Sequence, residues 1–302
     1  MKLKSKHILS MEDLSSQNIF EIIKLAQKFK TQKSPFQSLK GKTVIHLFLE
    51  PSTRTQGSFE IAAKRLGATT INISSSQSSI VKGETLIDTA KNLEAMNADL
   101  IILRHRSSGS PYILSKILNT PIINAGDGFH EHPTQALLDI MTILEAKGKI
   151  SGLRVLIVGD IAHSRVARSN IYGLRKLGAK VTLCGPPTLI PSYFSRLCKI
   201  SFHLPEAIKE ADVVMMLRIQ LERQDSPYLP SKSEYVKFYQ LHSDILKLAK
   251  KDLIVMHPGP IHRGMEISTE AADGPHSVIL NQVTNGVAVR MALLETTLRG
   301  TS

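Results

Sequence analysis

The chain has 302 residues, 42% hydrophobic and 21% charged, which is enough length for two domains and enough apolar material to bury a core in each. No apolar run is long enough to span a membrane, the lysine-rich start lacks a signal-peptide core, and Glu12, Asp13 and Glu21 without any nearby arginine argue against a transit peptide, so a cytoplasmic protein is expected. The net charge of +12 is compatible with nucleic acid, an acidic membrane surface or an anionic small substrate, but the lysines are scattered and aromatics make up only 5%, so neither a nucleic-acid nor a membrane partner is expected.

In chain order, 11–29 has the apolar spacing of a helix, and 43–49 reads as a buried strand. The strand stops at Glu50-Pro51, and Ser52-Thr53-Arg54-Thr55-Gln56 follows before a helix marked by Phe59, Ala62, Ala63 and Leu66, which Gly67 terminates. A strand-to-helix turn exposes unpaired backbone N–H groups at the positive end of the helix dipole, and such a corner binds anions. Ser52, Thr53 and Thr55 add hydroxyls and Arg54 adds a planar fork, a donor set suited to phosphate. The bland alternative is an ordinary helix cap followed by a surface arginine.

Strand-like runs at 68–73, 98–103 and 121–123 continue the first half, and those at 154–158, 180–183, 212–217 and 252–256 make up the second. Alternation with helices predicts an α/β chain of two domains, each a mostly parallel sheet flanked by helices. The domains are placed at 1–149 and 150–283, with a last helix at about 284–299 packing back on the first. A long helix over 132–149, ending near Gly148, joins them.

Polar clusters recur just after the strands: Ser52 to Thr55, a Ser-rich loop with Lys82, Arg104-His105, and Gly126 to Gln135 in the first half, then Arg165, Arg218 with Gln220, and His257-Pro258-Gly259-Pro260. Open α/β sheets bind ligands beyond the carboxyl ends of their strands, so these groups are expected to converge on an interdomain cleft. His132 opens its helix with Pro133 behind it, where the dipole disfavours imidazolium; it reads as a neutral donor for a carbonyl oxygen, with a capping role or a metal site with Asp127, His130 and Glu131 as alternatives. Arg165, Arg218 and Gln220 read as a carboxylate-binding set, against the alternative of solvated surface groups. Gly159-Asp160-Ile161-Ala162 lacks the later glycines of a dinucleotide fingerprint, and no Walker sequence occurs. Cys184 and Cys198 are too few for a disulfide framework or a four-cysteine zinc site and are expected to be structural thiols.

Taken together, Ser52-Thr53-Arg54-Thr55, Lys82-Gly83-Glu84-Thr85, Asn124-Ala125-Gly126-Asp127-Gly128, His132-Pro133-Thr134-Gln135, His257-Pro258-Gly259-Pro260 and Thr284-Asn285-Gly286-Val287 resemble the aspartate/ornithine carbamoyltransferase family nearly end to end. The resemblance implies transfer of the carbamoyl group of carbamoyl phosphate to an amine, without metal, cofactor or covalent enzyme intermediate. Ser52, Thr53, Arg54 and Thr55 would hold the phosphate, with Arg104 reaching both the phosphate and the carbonyl, and Thr55, Arg104 and His132 would polarise the carbonyl. Gln135 would bind the carbamoyl amide, and Arg165, Arg218 and Gln220 the carboxylates of L-aspartate. Backbone carbonyls at Pro258 and Gly259 would orient the substrates. Ser78 and Lys82 would enter the site of a neighbouring copy, which implies a homotrimer with shared sites, and Ser79 competes with Ser78 for that register. Gln56, and Pro258-Gly259 where the ornithine branch has Cys-Leu, favour aspartate as acceptor and hence pyrimidine biosynthesis. His262 stands where bacterial relatives usually carry Asn. Association with regulatory or dihydroorotase chains is left open.

Overall fold

A computed structural model describes residues 5–32, 36–74, 83–220 and 231–299, so Ser78, Ser79 and Lys82 lie outside the described residues. The chain forms two compact units, Met1–Leu138 with Thr284–Ser302, and Asp139–Val283. It passes between them inside two helices, α5 (Pro133–Lys147) and α11 (Ile279–Arg299).

The first unit opens with α1 (Ser16–Thr31), which buries Ile19, Ile22, Ile23, Ala26 and Phe29. This helix starts later than the expected residue 11. Ser15 caps it by accepting the Asn18 amide at 3.1 Å, and the Asn18 side chain reaches back to the Ser15 N–H. Met11 instead donates its amide to the Glu131 carboxylate at 3.1 Å, which holds 10–14 as a loop.

Four strands follow: β1 (Thr43–Phe48), β2 (Thr69–Ser74), β3 (Leu100–His105) and β4 (Ile122–Asp127), all parallel in the order β2-β1-β3-β4. Between them run α2 (Thr53–Arg65), α3 (Leu86–Ala95) and α4 (Ser110–Ser115). Ile45, Leu47, Ile101, Leu103, Leu114 and Ile122 form part of the core. Gly67, at φ +84°, ends α2: its amide bonds to Lys64 O at 3.1 Å and the Ala68 amide to Ala63 O at 3.0 Å, the two bonds of a Schellman cap.

The second unit is built from β5 (Arg154–Val158), α6 (Arg165–Lys176), β6 (Lys180–Cys184), β7 (Lys199–Ser201), α7 (Leu204–Ile208) and β8 (Val213–Met216). It continues through α8 (Lys232–Tyr239), α9 (Ser243–Lys247), β9 (Ile254–Met256) and α10 (Thr269–Asp273). Its sheet is also wholly parallel, in the order β7-β6-β5-β8-β9. Three-residue β7 escapes sequence reading because it is too short to show a period. Leu156, Val158, Val214, Met216, Tyr235 and Ile267 share its core. Cys184 and Cys198 are free and buried, and burial pushes their thiols up to about 12 and about 11. No described helix is long and apolar enough to cross a membrane.

Candidate active site

Sheet order decides where each unit can bind a ligand. In the first sheet the chain moves from β1 to one neighbour, β2, then returns to the other side for β3. The crevice at such a switch point lies beyond the carboxyl ends of β1 and β3. Ser52 to Thr55 follow β1 and Arg104 ends β3; the Leu49 amide bonds Arg104 O at 2.9 Å, extending the ladder to the mouth of that crevice.

Ser52 is the N-cap of α2 with extended backbone, yet its side chain makes no capping hydrogen bond. The first-turn amides of a helix have no acceptor within it, so this end keeps its capacity for an anion. Thr53 and Arg54 are exposed, Ser52 is half-buried and Thr55 is buried. The Arg104 guanidinium lies beside this turn, donating to Glu50 Oε1 at 3.0 Å and to Ala125 O at 3.3 Å. With side-chain exposures of 11% and 19%, Arg104 and Glu50 form a half-desolvated pair that fixes the guanidinium in place.

His132 reaches the same end of the sheet through a loop tied to one carboxylate. Asp127 ends β4 and is buried; Oδ1 accepts from Asn124 Nδ2 at 2.8 Å and the Glu131 amide at 3.1 Å, and Oδ2 accepts the Gly109 amide at 2.6 Å. His130 Nδ1 lies 3.1 Å from Oδ2. Gly128, at φ +45°, fits where a Cβ would lie 2.6 Å from the Ser108 amide nitrogen. The loop delivers buried His132 to the start of α5, with the Thr134 hydroxyl 3.4 Å from Nδ1 and Gln135 one turn on. Burial lowers the His105 imidazole below the usual histidine range, and its Nδ1 accepts the Ser107 amide at 2.9 Å. Among the described residues, no group of three or more His, Cys, Asp or Glu side chains is placed to hold a metal ion.

The second sheet repeats the logic. From β5 the chain runs to β6 and β7 on one side and returns to β8 and β9 on the other, so its switch point lies between β5 and β8. Arg165 follows β5, and Arg218 and Gln220 follow β8. Asp160, fully buried, links the two: Oδ1 meets the His163 amide at 3.1 Å and His163 Nδ1 at 2.8 Å, while Oδ2 accepts the Gln220 amide at 3.3 Å. Gly159, at φ +129°, sits where a Cβ would lie 2.6 Å from Leu217 O. Ser164 caps α6 through the Ala167 amide at 3.1 Å, Arg165 is 4% exposed, and Arg218 is half-buried. Pro258 and Gly259, both half-buried, follow β9.

The described candidate residues therefore fall into two sets: Ser52, Thr53, Arg54, Thr55, Arg104, His132 and Gln135 in the first unit, and Arg165, Arg218, Gln220, Pro258 and Gly259 in the second. Glu50 and Asp160 carry no expected role in the sequence, and Asp127 is weighed there only as a metal ligand rather than as the acceptor that shapes the loop. Their only local signal is an acid at the end of an apolar run.

Residues 6–145 match the domain described as aspartate/ornithine carbamoyltransferase, carbamoyl-P binding domain, and residues 151–297 match that family's Asp/Orn binding domain. The chain belongs to the aspartate/ornithine carbamoyltransferase family. It is 60% identical to the aspartate carbamoyltransferase catalytic subunit of Syntrophus aciditrophicus over 97% of each chain. It is 58% identical to that of Syntrophotalea carbinolica, over 97% of this chain and 96% of the relative. Among solved structures it resembles aspartate transcarbamoylase from Trypanosoma cruzi in complex with N-(phosphonacetyl)-L-aspartic acid, with TM-score 0.90, 32% identity, and coverage of 97% and 96%. It also resembles ornithine carbamoyltransferase from Pyrococcus furiosus, with TM-score 0.88, 31% identity and 97% of each chain covered. Solved structures from both branches of the family thus share this fold.

Proposed function

We propose that this chain transfers the carbamoyl group of carbamoyl phosphate to the amine of L-aspartate, giving N-carbamoyl-L-aspartate and phosphate in cytoplasmic pyrimidine biosynthesis. The observation that carries the reading is the division of charge between two switch points: one beside a hydroxyl-rich helix start with an arginine, the other beside two arginines and a glutamine. The first suits a phosphate and the second a small dicarboxylate. The relatives at 54–60% identity, all named aspartate carbamoyltransferase catalytic subunits, support aspartate over ornithine.

In this reading Ser52, Thr53, Arg54 and Thr55 hold the phosphate, and Thr55, Arg104 and His132 donate to the carbonyl oxygen. Gln135 takes the carbamoyl amide, Arg165, Arg218 and Gln220 grip the two carboxylates, and the Pro258 and Gly259 carbonyls orient the reacting groups. The neutral amine of aspartate attacks the carbonyl carbon. A C–N bond forms, the oxyanion is held by Thr55, Arg104 and His132, the C–O bond to phosphate breaks, and phosphate leaves with the amine's proton. Rate then comes from positioning and preorganised charge.

We further infer a homotrimer in which Ser78 and Lys82 complete the site of a neighbouring copy. Mixing dissociated Arg54→Ala and Lys82→Ala chains is expected to regenerate activity, and verified mixed trimers without activity would count against sharing. The reaction itself is tested by phosphate release from carbamoyl phosphate with L-aspartate, L-ornithine or no acceptor, with detection of the ureido product. Product with aspartate alone is expected; product with ornithine alone would overturn the reading of the second unit.

A further inference from the structure

We infer that Glu266 and His257 form a positioning pair that sets the direction of the Pro258 and Gly259 carbonyls, a role that rests on reading those carbonyls as substrate-orienting. The side chains of both residues are 0% exposed. His257 Nδ1 lies 2.8 Å from the Gly259 amide, and a backbone N–H can only donate, so Nδ1 carries a lone pair and the ring proton is on Nε2. Nε2 lies 3.0 Å from Glu266 Oε1, to which it donates. The ring is thereby neutral and held in a single tautomer.

The same Glu266 oxygen accepts the His262 amide at 2.6 Å. One buried carboxylate oxygen thus pins both ends of the 257–262 segment, by a ring at the first residue and by backbone at the last. Because His262 is held through its amide, this bond of the clamp does not depend on the side chain at that position. A second tether acts from behind: Gln282 Oε1 accepts the His257 amide at 2.9 Å, and Gln282 Nε2 donates to Asp139 Oδ1 at 2.8 Å. Asp139 Oδ2 accepts Asn170 Nδ2 at 2.8 Å, which anchors the chain of bonds on α6. Gly259 sits at φ +69°, so the turn holds a conformation that L side chains rarely adopt and is kept there by its bonds.

If Glu266 lost its acceptor, Nε2–H would be buried without a partner, the ring would be released from its tautomer, and the Gly259 amide would lose its closure on Nδ1. The carbonyls would then swing relative to the reacting atoms, where a misplacement of about 1 Å costs about a hundredfold in rate. Glu266 acts here as an acceptor. The amide oxygen of glutamine can take both N–H bonds, whereas alanine can take neither.

The test uses the purified full chain and three readouts: kcat with L-aspartate per folded site, affinity for inorganic phosphate, and the ring nitrogen spectrum of 15N-labelled His257. Glu266→Ala is expected to lower kcat by about a hundredfold with phosphate affinity within about twofold of the wild type, because the Ser52 to Thr55 turn lies in the other unit. Glu266→Gln is expected to recover at least about a tenth of wild-type kcat, since its carbonyl restores both acceptor bonds. Unchanged kcat in Glu266→Ala, or an equal loss in Glu266→Gln, would overturn the pair. So would a wild-type spectrum showing a protonated Nδ1. If Glu266→Ala fails to fold, the glutamine variant and the spectrum still decide. If the wild-type chain transfers no carbamoyl group, the functional reading fails by itself and the ring spectrum alone judges the clamp.

Discussion

The N-terminal ends of α2 and α6 are built alike and used differently. Each follows a central parallel strand at its sheet's switch point, each has a serine at the N-cap, and each carries an arginine in the first turn. Ser164 spends its hydroxyl on the Ala167 amide and Arg165 is buried, whereas Ser52 makes no capping bond and Arg54 is exposed. A capped helix start has met part of its need for acceptors, and an uncapped one keeps its amides for an incoming anion. The difference separates a helix start whose serine is committed to a cap from one whose serine makes no capping bond, the end to which we assign the phosphate.

The sharpest way to break this comparison is at the arginines. If Arg54 acts in the transition state as proposed, Arg54→Ala is expected to lower kcat by about a hundredfold or more with little change in Tm, because an exposed side chain contributes little to folding. Near-normal turnover would remove Arg54 from the mechanism. Arg165→Ala is expected to combine a rise of about tenfold or more in the aspartate KM with a stability loss of about 1–3 kcal/mol, since a buried guanidinium is also packed and hydrogen-bonded. Paired urea titrations and steady-state kinetics check both effects.

The serines give a finer test. Ser164→Ala is expected to cost about 1 kcal/mol, the usual value of a working cap, and Ser52→Ala only a few tenths while weakening phosphate binding. Equal stability costs would mean that the two ends differ less than their geometry indicates.

The smallest effect concerns acid. His7 accepts the Ile122 amide on Nδ1 at 3.2 Å, and burial followed by the charges of Lys6 and Lys116 lowers its imidazole to about 4. Because the folded pKa lies below the unfolded value of about 6.5, the unfolded chain takes up the proton first. The stabilising contribution is therefore present above about pH 6.5 and lost as pH falls toward 4. A Tm profile between pH 7 and 4.5 is expected to fall less steeply in His7→Gln than in the wild type, and parallel profiles would show that His7 is not part of the acid response.

Much of this was legible in the amino-acid order. The strand cores, the Ser52 to Thr55 turn, the Gly67 helix stop and the alternation of strands and helices all rest on neighbours within a few residues, where periodicity and capping act. The start of α1 was misplaced because 11–14 continue its apolar spacing, although Met11 is held by Glu131 across 120 residues of chain. The acceptor roles of the carboxylates behind the candidate residues were hidden for the same reason. Asp127 and Asp160 follow apolar runs and Glu266 follows the mostly polar His262-Arg263-Gly264-Met265 stretch, and nothing local distinguishes a buried acceptor from a solvated charge.

By itself, the sequence determined the α/β class, most of the elements and which residues are candidates for a phosphate or a carboxylate, because those follow from side-chain chemistry and short-range backbone preference. Only the tertiary structure decided the strand orders β2-β1-β3-β4 and β7-β6-β5-β8-β9, and with them the two switch points. It alone joined Asp139 to Gln282, 143 residues apart, and so tied the 257–262 turn to α6. Such pairings come from packing between distant segments, whose energies no local pattern records.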